Sequence, residues 1–179
     1  MKKTLFDKME DLEFLLSKLY ARFSDLFEEN AEIKKFFSKL SEEELSHRDI
    51  IHLQKRLVGK NMALIGDVDC DLKTVDSIVN KITKIFQSNR DFTLHEALFL
   101  AVEFEIEAAE YHLRNAVTFS NPNISKMMTS LGKSDDSHRQ AIINMAKKQG
   151  VLIELSEDVE TDGKYSTSTK TAIKGKKAK

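Results

Sequence analysis

The chain has 179 residues, enough for one domain with a single buried core and an appendage. Six glycines and one proline fall far below the roughly 12% of average usage, which leaves too few turn residues for an all-β sandwich or barrel. A net charge of −1 gives no global case for nucleic acid or an anionic membrane, and the single cysteine, Cys70, excludes an internal disulfide, a Cys-x-x-Cys pair and any four-cysteine metal site.

No apolar run approaches the roughly 18 residues of a membrane span. The start, Met1-Lys2-Lys3-Thr4-Leu5-Phe6-Asp7, turns acidic before a signal-peptide core could form. A cytoplasmic location is the expectation.

The first helical pattern runs from about Thr4 to Glu29, with an apolar stripe of Met9, Leu12, Leu16, Leu19, Phe23 and Leu26. A second, from Ala31 to Val58, follows almost at once, which predicts an antiparallel hairpin. Some thirty residues from Gly59 to Arg90 then carry a weaker pattern (Val75, Ile78, Val79, Ile82, Ile85, Phe86). A connection this long lets the helices on either side of it run parallel. Thr93 and Glu96 have capping-box spacing and open the third main helix, which reaches about Phe119. Asn121-Pro122 supplies an N-cap and first-turn proline for the fourth, which ends at Gly150 behind Lys147 and Lys148. The helical bundle is thus assigned to residues 1–155. Residues 156–179 hold six lysines and four acids and read as a solvated tail, or as a basic arm for phosphate or nucleic acid.

The most informative feature is an internal repeat with an offset of 91 residues. Ile33, Phe37, Leu40, Glu44, His47 and Ile51 become Ile124, Met128, Leu131, Asp135, His138 and Ile142. The 4-3-4-3-4 spacing holds each set on one helix face, apolar except for an acid and a histidine one turn later. Burying an unpaired carboxylate costs on the order of several kcal/mol, so two such faces ask for a compensating cation. On the first helix Glu13 lies within the greasy face, with Glu10 and Asp11 as rivals at its edge. On the third main helix Glu105 shares the small, apolar side with Leu94, Leu98, Ala101, Ala108 and Ala109, whereas its rivals Glu103 and Glu107 sit with Glu96 and Glu110 on a solvated one. The Glu13-to-Glu105 offset is 92. That slip pairs Tyr20 with His112, while a strict offset pairs it with Tyr111. In the run Glu42-Glu43-Glu44 only Glu44 is expected to point inward. His52 and His95 fall off the stripes and read as surface residues, and Cys70 and the Met127-Met128 pair read as packing.

Two single acids and two acid-x-x-His pairs directed at one centre form the ligand set of a carboxylate-bridged dinuclear site. Oxygen-rich ligation with two imidazoles suits Fe, with Mn as the alternative. In Glu13 with Tyr20, Glu44-Leu45-Ser46-His47, Glu105 with Tyr111-His112, and Asp135-Asp136-Ser137-His138, the sequence resembles the rubrerythrin and ferritin-like family over residues 4 to about 150.

The resemblance implies an all-α, ferritin-like four-helix bundle of two hairpins joined by a crossover with a short helix. It implies metal ligation by Glu13, Glu44, His47, Glu105, Asp135 and His138, with Tyr20, Tyr111 and His112 either hydrogen-bonding ligand carboxylates or packing. It further implies oxidoreductase chemistry on peroxide or O2, an external electron donor such as a rubredoxin-like protein, and a homodimer. Asp135 stands where the family pattern has Glu and is one methylene shorter. Ala108 stands where rubrerythrins carry a further Glu linked with peroxidase turnover, and the four-cysteine rubredoxin domain is absent. These departures keep two other readings in play: ferrous capture and oxidation without peroxidase turnover, and a bundle that has lost its metal and serves as a scaffold.

Overall fold

The computed structural model describes residues 5–59, 72–116, 119 and 121–153. All the regular structure among them is helical, in five helices: α1 (Leu5–Leu26), α2 (Ala31–Gly59), α3 (Leu72–Ser88), α4 (Leu94–Ala116) and α5 (Pro122–Lys148). Cys70 and the tail from residue 156 lie outside the described residues. Among those described, no helix is long and apolar enough to cross a membrane.

The helix ends follow local chemistry. α1 stops at Leu26, short of Glu29, because Asn30 caps α2 instead: its Oδ1 accepts from the Ile33 N–H at 3.2 Å. The Thr93 capping box forms, with Thr93 N donating to Glu96 at 2.9 Å and Glu96 N to Thr93 Oγ1 at 3.3 Å. Those bonds and Arg90 hold the Glu96 carboxyl down at about 2. Asn121 Oδ1 accepts from the N–H groups of Asn123 and Ile124 ahead of Pro122. At the far end Gly150, at φ +68°, turns the chain so that Val151 N–H reaches Ala146 O at 2.8 Å and Gly150 N–H reaches Lys147 O at 3.1 Å. That is the paired bonding of a Schellman motif, with glycine at the left-handed position. α4 ends at Ala116, before Phe119.

Cross-helix pairs fix the directions. Ser17 meets Ser41 at 3.1 Å and Ser24 donates to Lys34 O at 3.0 Å, so α1 and α2 are antiparallel. Tyr20 meets Glu105, and Glu13 meets His112, so α1 and α4 are antiparallel. His47 meets Ser134, and Glu32 pairs with Lys148, so α2 and α5 are antiparallel too. With α4 and α5 forming the second hairpin, α2 and α4 run the same way, as the long connection allows. α3 lies along α1, pinned by Lys8–Asp76 at one end and by Arg22 donating to Ile85 O at 3.4 Å at the other, and it reaches α4 through Lys81–Glu107.

The core is aromatic at the α1–α2 turn. Phe23 packs edge-on to Phe37 at 5.2 Å and to Phe92 at 5.6 Å. Toward the middle of α4 it becomes small, with buried Ala97, Ala101 and Ala108. α4 and α5 come so close that a Cβ on Gly132 would stand 2.6 Å from Leu113 Cγ and 3.2 Å from the Ala109 carbonyl oxygen. Into this apolar interior the four main helices deliver four carboxylates near their midpoints.

Candidate metal centre

Glu13, Glu44, Glu105 and Asp135 are buried at the bundle centre, and His47 and His138 retain only 7% and 6% exposure. The structure brings together all six residues expected as ligands. It leaves the rivals Glu10 and Glu107 outside, engaged with Lys55 and Lys81. His52 and His95 are at the surface, the first against Glu10 and the second stacked on Phe99.

Glu44 is the hub. Its Oε2 accepts from His47 Nδ1 at 2.9 Å, and its Oε1 lies 2.8 Å from His138 Nδ1, close but out of line for a hydrogen bond. The two imidazoles stack at 5.3 Å with 17° between their planes. Glu13 Oε2 stands 3.7 Å from His47 Nδ1, and Glu105 Oε2 stands 3.5 Å from His138 Nδ1. Asp135 reaches the centre despite its shorter arm, with Oδ1 3.9 Å from His47 Nδ1. Glu44 and Asp135 therefore stand between the halves, and Glu13 and Glu105 flank them.

The outer contacts obey the repeat. Tyr20, seven residues after Glu13, donates its hydroxyl to Glu105 Oε1 at 2.5 Å. His112, seven residues after Glu105, places Nε2 3.3 Å from Glu13 Oε1 and Nδ1 2.8 Å from Asp135 Oδ2. The pairing is Tyr20 with His112, the slipped offset of 92. Tyr111 is buried with its ring 5.6 Å from that of His112. Behind the ligand imidazoles, His47 Nε2 meets Ser134 Oγ at 2.9 Å, and His138 Nε2 faces Glu43 Oε2 at 3.4 Å. Of the run Glu42-Glu43-Glu44 only Glu44 points into the centre; Glu43 stays at the surface, its side chain 37% exposed, and turns one oxygen onto His138 because the antiparallel α5 places that ring beside it. Sequence periodicity passed over Glu43 and Ser134, yet adding 91 to the first gives the second.

The electrostatics show how such a cluster sits in a core. Burial pushes the Glu13 carboxyl up to about 8 against the pull of His47 and His112. Burial, reinforced by Glu44, pushes Glu105 to the same level against His138. For Glu44 burial is again the largest influence, but the two imidazoles overcome it and hold the carboxyl down at about 2. Burial opposes charge on His47 and His138, and the facing carboxylates outweigh it, raising them to about 11 and about 10. His112 is raised by Asp135 and Glu13 in spite of its burial. Burial and Glu105 drive the Tyr20 phenol well above its usual 10, so it donates its proton and keeps it.

The donor set fits a pair of divalent cations. Both Glu13 oxygens and Glu105 Oε2 are buried with no hydrogen-bond partner, a cost of roughly 1–3 kcal/mol or more per group that a ligand would remove. Glu13, Glu44 and His47 form one trio whose donor atoms lie within 4.8 Å of one another, and Glu44, Asp135 and His138 form a second. Donors about 2.0–2.2 Å from a shared ion stand up to about 4.4 Å apart, so small adjustments bring each trio onto an ion. Glu44 belongs to both, as a bridging carboxylate does. Fold and site together define a helical bundle with a buried carboxylate–imidazole centre able to hold metal. No family model, curated protein or solved structure matches the chain.

Proposed function

We propose that the chain is a ferritin-like, rubrerythrin-related dinuclear iron protein, an oxidoreductase acting on peroxide or O2 with electrons from a separate donor. The observation that carries this reading is Glu44, shared between two donor trios at the centre of a buried core. Hard carboxylate oxygens with one imidazole per ion favour Fe or Mn over sulfur-seeking metals. A ferrous pair supplies two electrons, enough with two protons to convert one hydrogen peroxide into two waters.

The chain's own residues do the rest. His47 and His138 orient through Ser134 and Glu43, and Tyr20 fixes the Glu105 carboxylate by one oxygen. His112 is hydrogen-bonded to Asp135 and turns Nε2 toward Glu13 of the other hairpin, 3.3 Å away. Buried Leu16, Leu40, Ala108 and Leu131, each one turn from a central carboxylate, help keep bulk water from the centre. One observation favours the second reading, ferrous capture and oxidation without peroxidase turnover: Ala108, one turn from Glu105, is fully buried and brings no further acid.

Anaerobic reconstitution with Fe(II) followed by elemental analysis tests the centre. About two irons per chain are expected, and Glu44→Ala with His138→Ala should abolish that loading. Iron equal in wild type and double mutant would overturn the assignment. Among loaded samples, oxidation of about two Fe(II) per peroxide followed by re-reduction and repeated turnover supports the oxidoreductase, whereas a single oxidation with no further turnover supports iron handling.

A further inference from the structure

The repeat relates the two halves of the centre, and it also relates the residues standing behind their imidazoles. Glu43 and Ser134 occupy the same position in the two copies. Each lies on the opposite helix from the histidine it touches, Glu43 on α2 facing His138 of α5 and Ser134 on α5 facing His47 of α2. One copy thus presents a carboxylate and the other a neutral hydroxyl. Glu43 Oε1 lies 3.3 Å from Lys39 Nζ, but Lys39 is 73% exposed, and Oε2 is left to His138. An exposed Lys–Glu pair four residues apart contributes only about 0.3–0.5 kcal/mol, too little to explain an acid at this spot.

The other break in the repeat, Tyr20 against His112, does not separate the halves by charge: His112 stands 3.3 Å from Glu13 in the His47 half and 2.8 Å from Asp135 in the His138 half. The Glu43/Ser134 difference alone leaves the His138 half the richer in negative charge.

Resting on the dinuclear reading above, we infer that the two halves load in order, the Glu44–Glu105–Asp135–His138 half first, and that Glu43 sets this order through His138. His138 Nδ1 faces the central carboxylates, and its Nε2 points outward to Glu43 Oε2, 3.4 Å away. A carboxylate behind a ligating imidazole fixes the ring and increases its basicity, and removing such a partner costs about 10–100-fold in metal affinity. The Ser134 hydroxyl can fix the His47 ring but brings no charge. Glu43 is a positioning residue: it touches the ligand and not the metal.

The test is anaerobic titration of the metal-free full chain with Co(II), followed by ligand-field absorption and chelator competition. Wild type is expected to show two steps at least about tenfold apart. His138→Ala should remove the tighter step and His47→Ala the weaker. Glu43→Gln should weaken the tighter step by about tenfold and the other by less than about threefold. Glu43→Asp should restore most of the loss, and Ser134→Glu should strengthen the weaker step. Helical circular dichroism and melting of Glu43→Gln should match wild type, since the side chain lies at the surface. Two equal steps in wild type, loss of the tighter step in His47→Ala, or equal weakening of both steps by Glu43→Gln would each overturn the order while leaving the dinuclear centre standing. No Co(II) binding by wild type would bring down the centre itself, and the order with it.

Discussion

Metal uptake should release about four protons per pair of ions at pH 7. In the metal-free protein Glu13 and Glu105 are raised to about 8, and His138 and His47 to about 10 and about 11. At pH 7 both imidazoles hold their protons fully and each of these carboxyls holds its proton in about 90% of molecules. Ligation needs neutral imidazole and ionised carboxylate, so two divalent ions expel all four protons, about 3.8 on average. Four protons carry the charge of two dications, and the interior exchanges one neutralising set for another. The overall two-ion constant should then rise by nearly four decades per pH unit near pH 7. At pH 9 the two glutamates are already ionised, and the release should fall to about two. Calorimetric titration with Mn(II) or Co(II) in buffers of different ionisation enthalpy reads the proton count directly from the slope of heat against buffer enthalpy. A release below about one proton at pH 7, or one that does not fall by pH 9, would refute the reasoning, because ions held by exposed acids displace few protons.

Two further outcomes follow from the same structure. The folded-state values of His47 and His138 lie above the ordinary 6.5, so their stabilisation of the metal-free protein is complete below pH 6.5 and is lost as pH rises toward 10 and 11. Glu13 and Glu105, raised from 4.5 to about 8, act in the same direction between those values. Metal-free protein should therefore melt lower at pH 9 than at pH 6, with a flatter profile after metal loading; equal melting of the metal-free form at both pH values would contradict the assignment. Gly132→Ala should destabilise by about 1 kcal/mol, the overpacking against Leu113 and the Ala109 carbonyl exceeding the helix-propensity gain of about 1 kcal/mol. In a Leu113→Ala background the urea-derived penalty should shrink by about 1 kcal/mol or more, and an unchanged penalty would place the clash elsewhere.

The fold was legible because its signals are local. Asn121-Pro122, the Thr93–Glu96 box and Gly150 mark helix ends through bonds spanning a few residues, and each bond is present. The six central side chains were legible because an acid in an apolar stripe is costly wherever the helix packs, so face alone separated Glu105 from Glu103 and Glu107. What face could not settle was which helix stands opposite which. Tyr20 meeting Glu105 and His112 meeting Glu13 depend on α1 lying against α4 in one particular register, information that neither helix carries alone. Glu43 escaped for a related reason. It lies beside the buried stripe, and its reach to His138 depends on the spacing and direction of α5. Applying the 91-residue offset one position before the acid would have flagged the Glu43/Ser134 pair, although not what the pair touches.

The antiparallel crossings of α1 with α4 and of α2 with α5 relate the two hairpins by an approximate twofold axis running between Glu44 and Asp135. Had two identical hairpins associated as separate chains, closure would have imposed each residue near that axis twice, and any change beside one ion would have been copied beside the other. Joining the hairpins through one connection lifts that obligation. A carboxylate can shorten on one side only, as at Asp135, and a phenol can face an imidazole across the axis. The long crossover thus gives the chain the freedom to make the two halves of the centre unlike, which no symmetric pair of hairpins possesses.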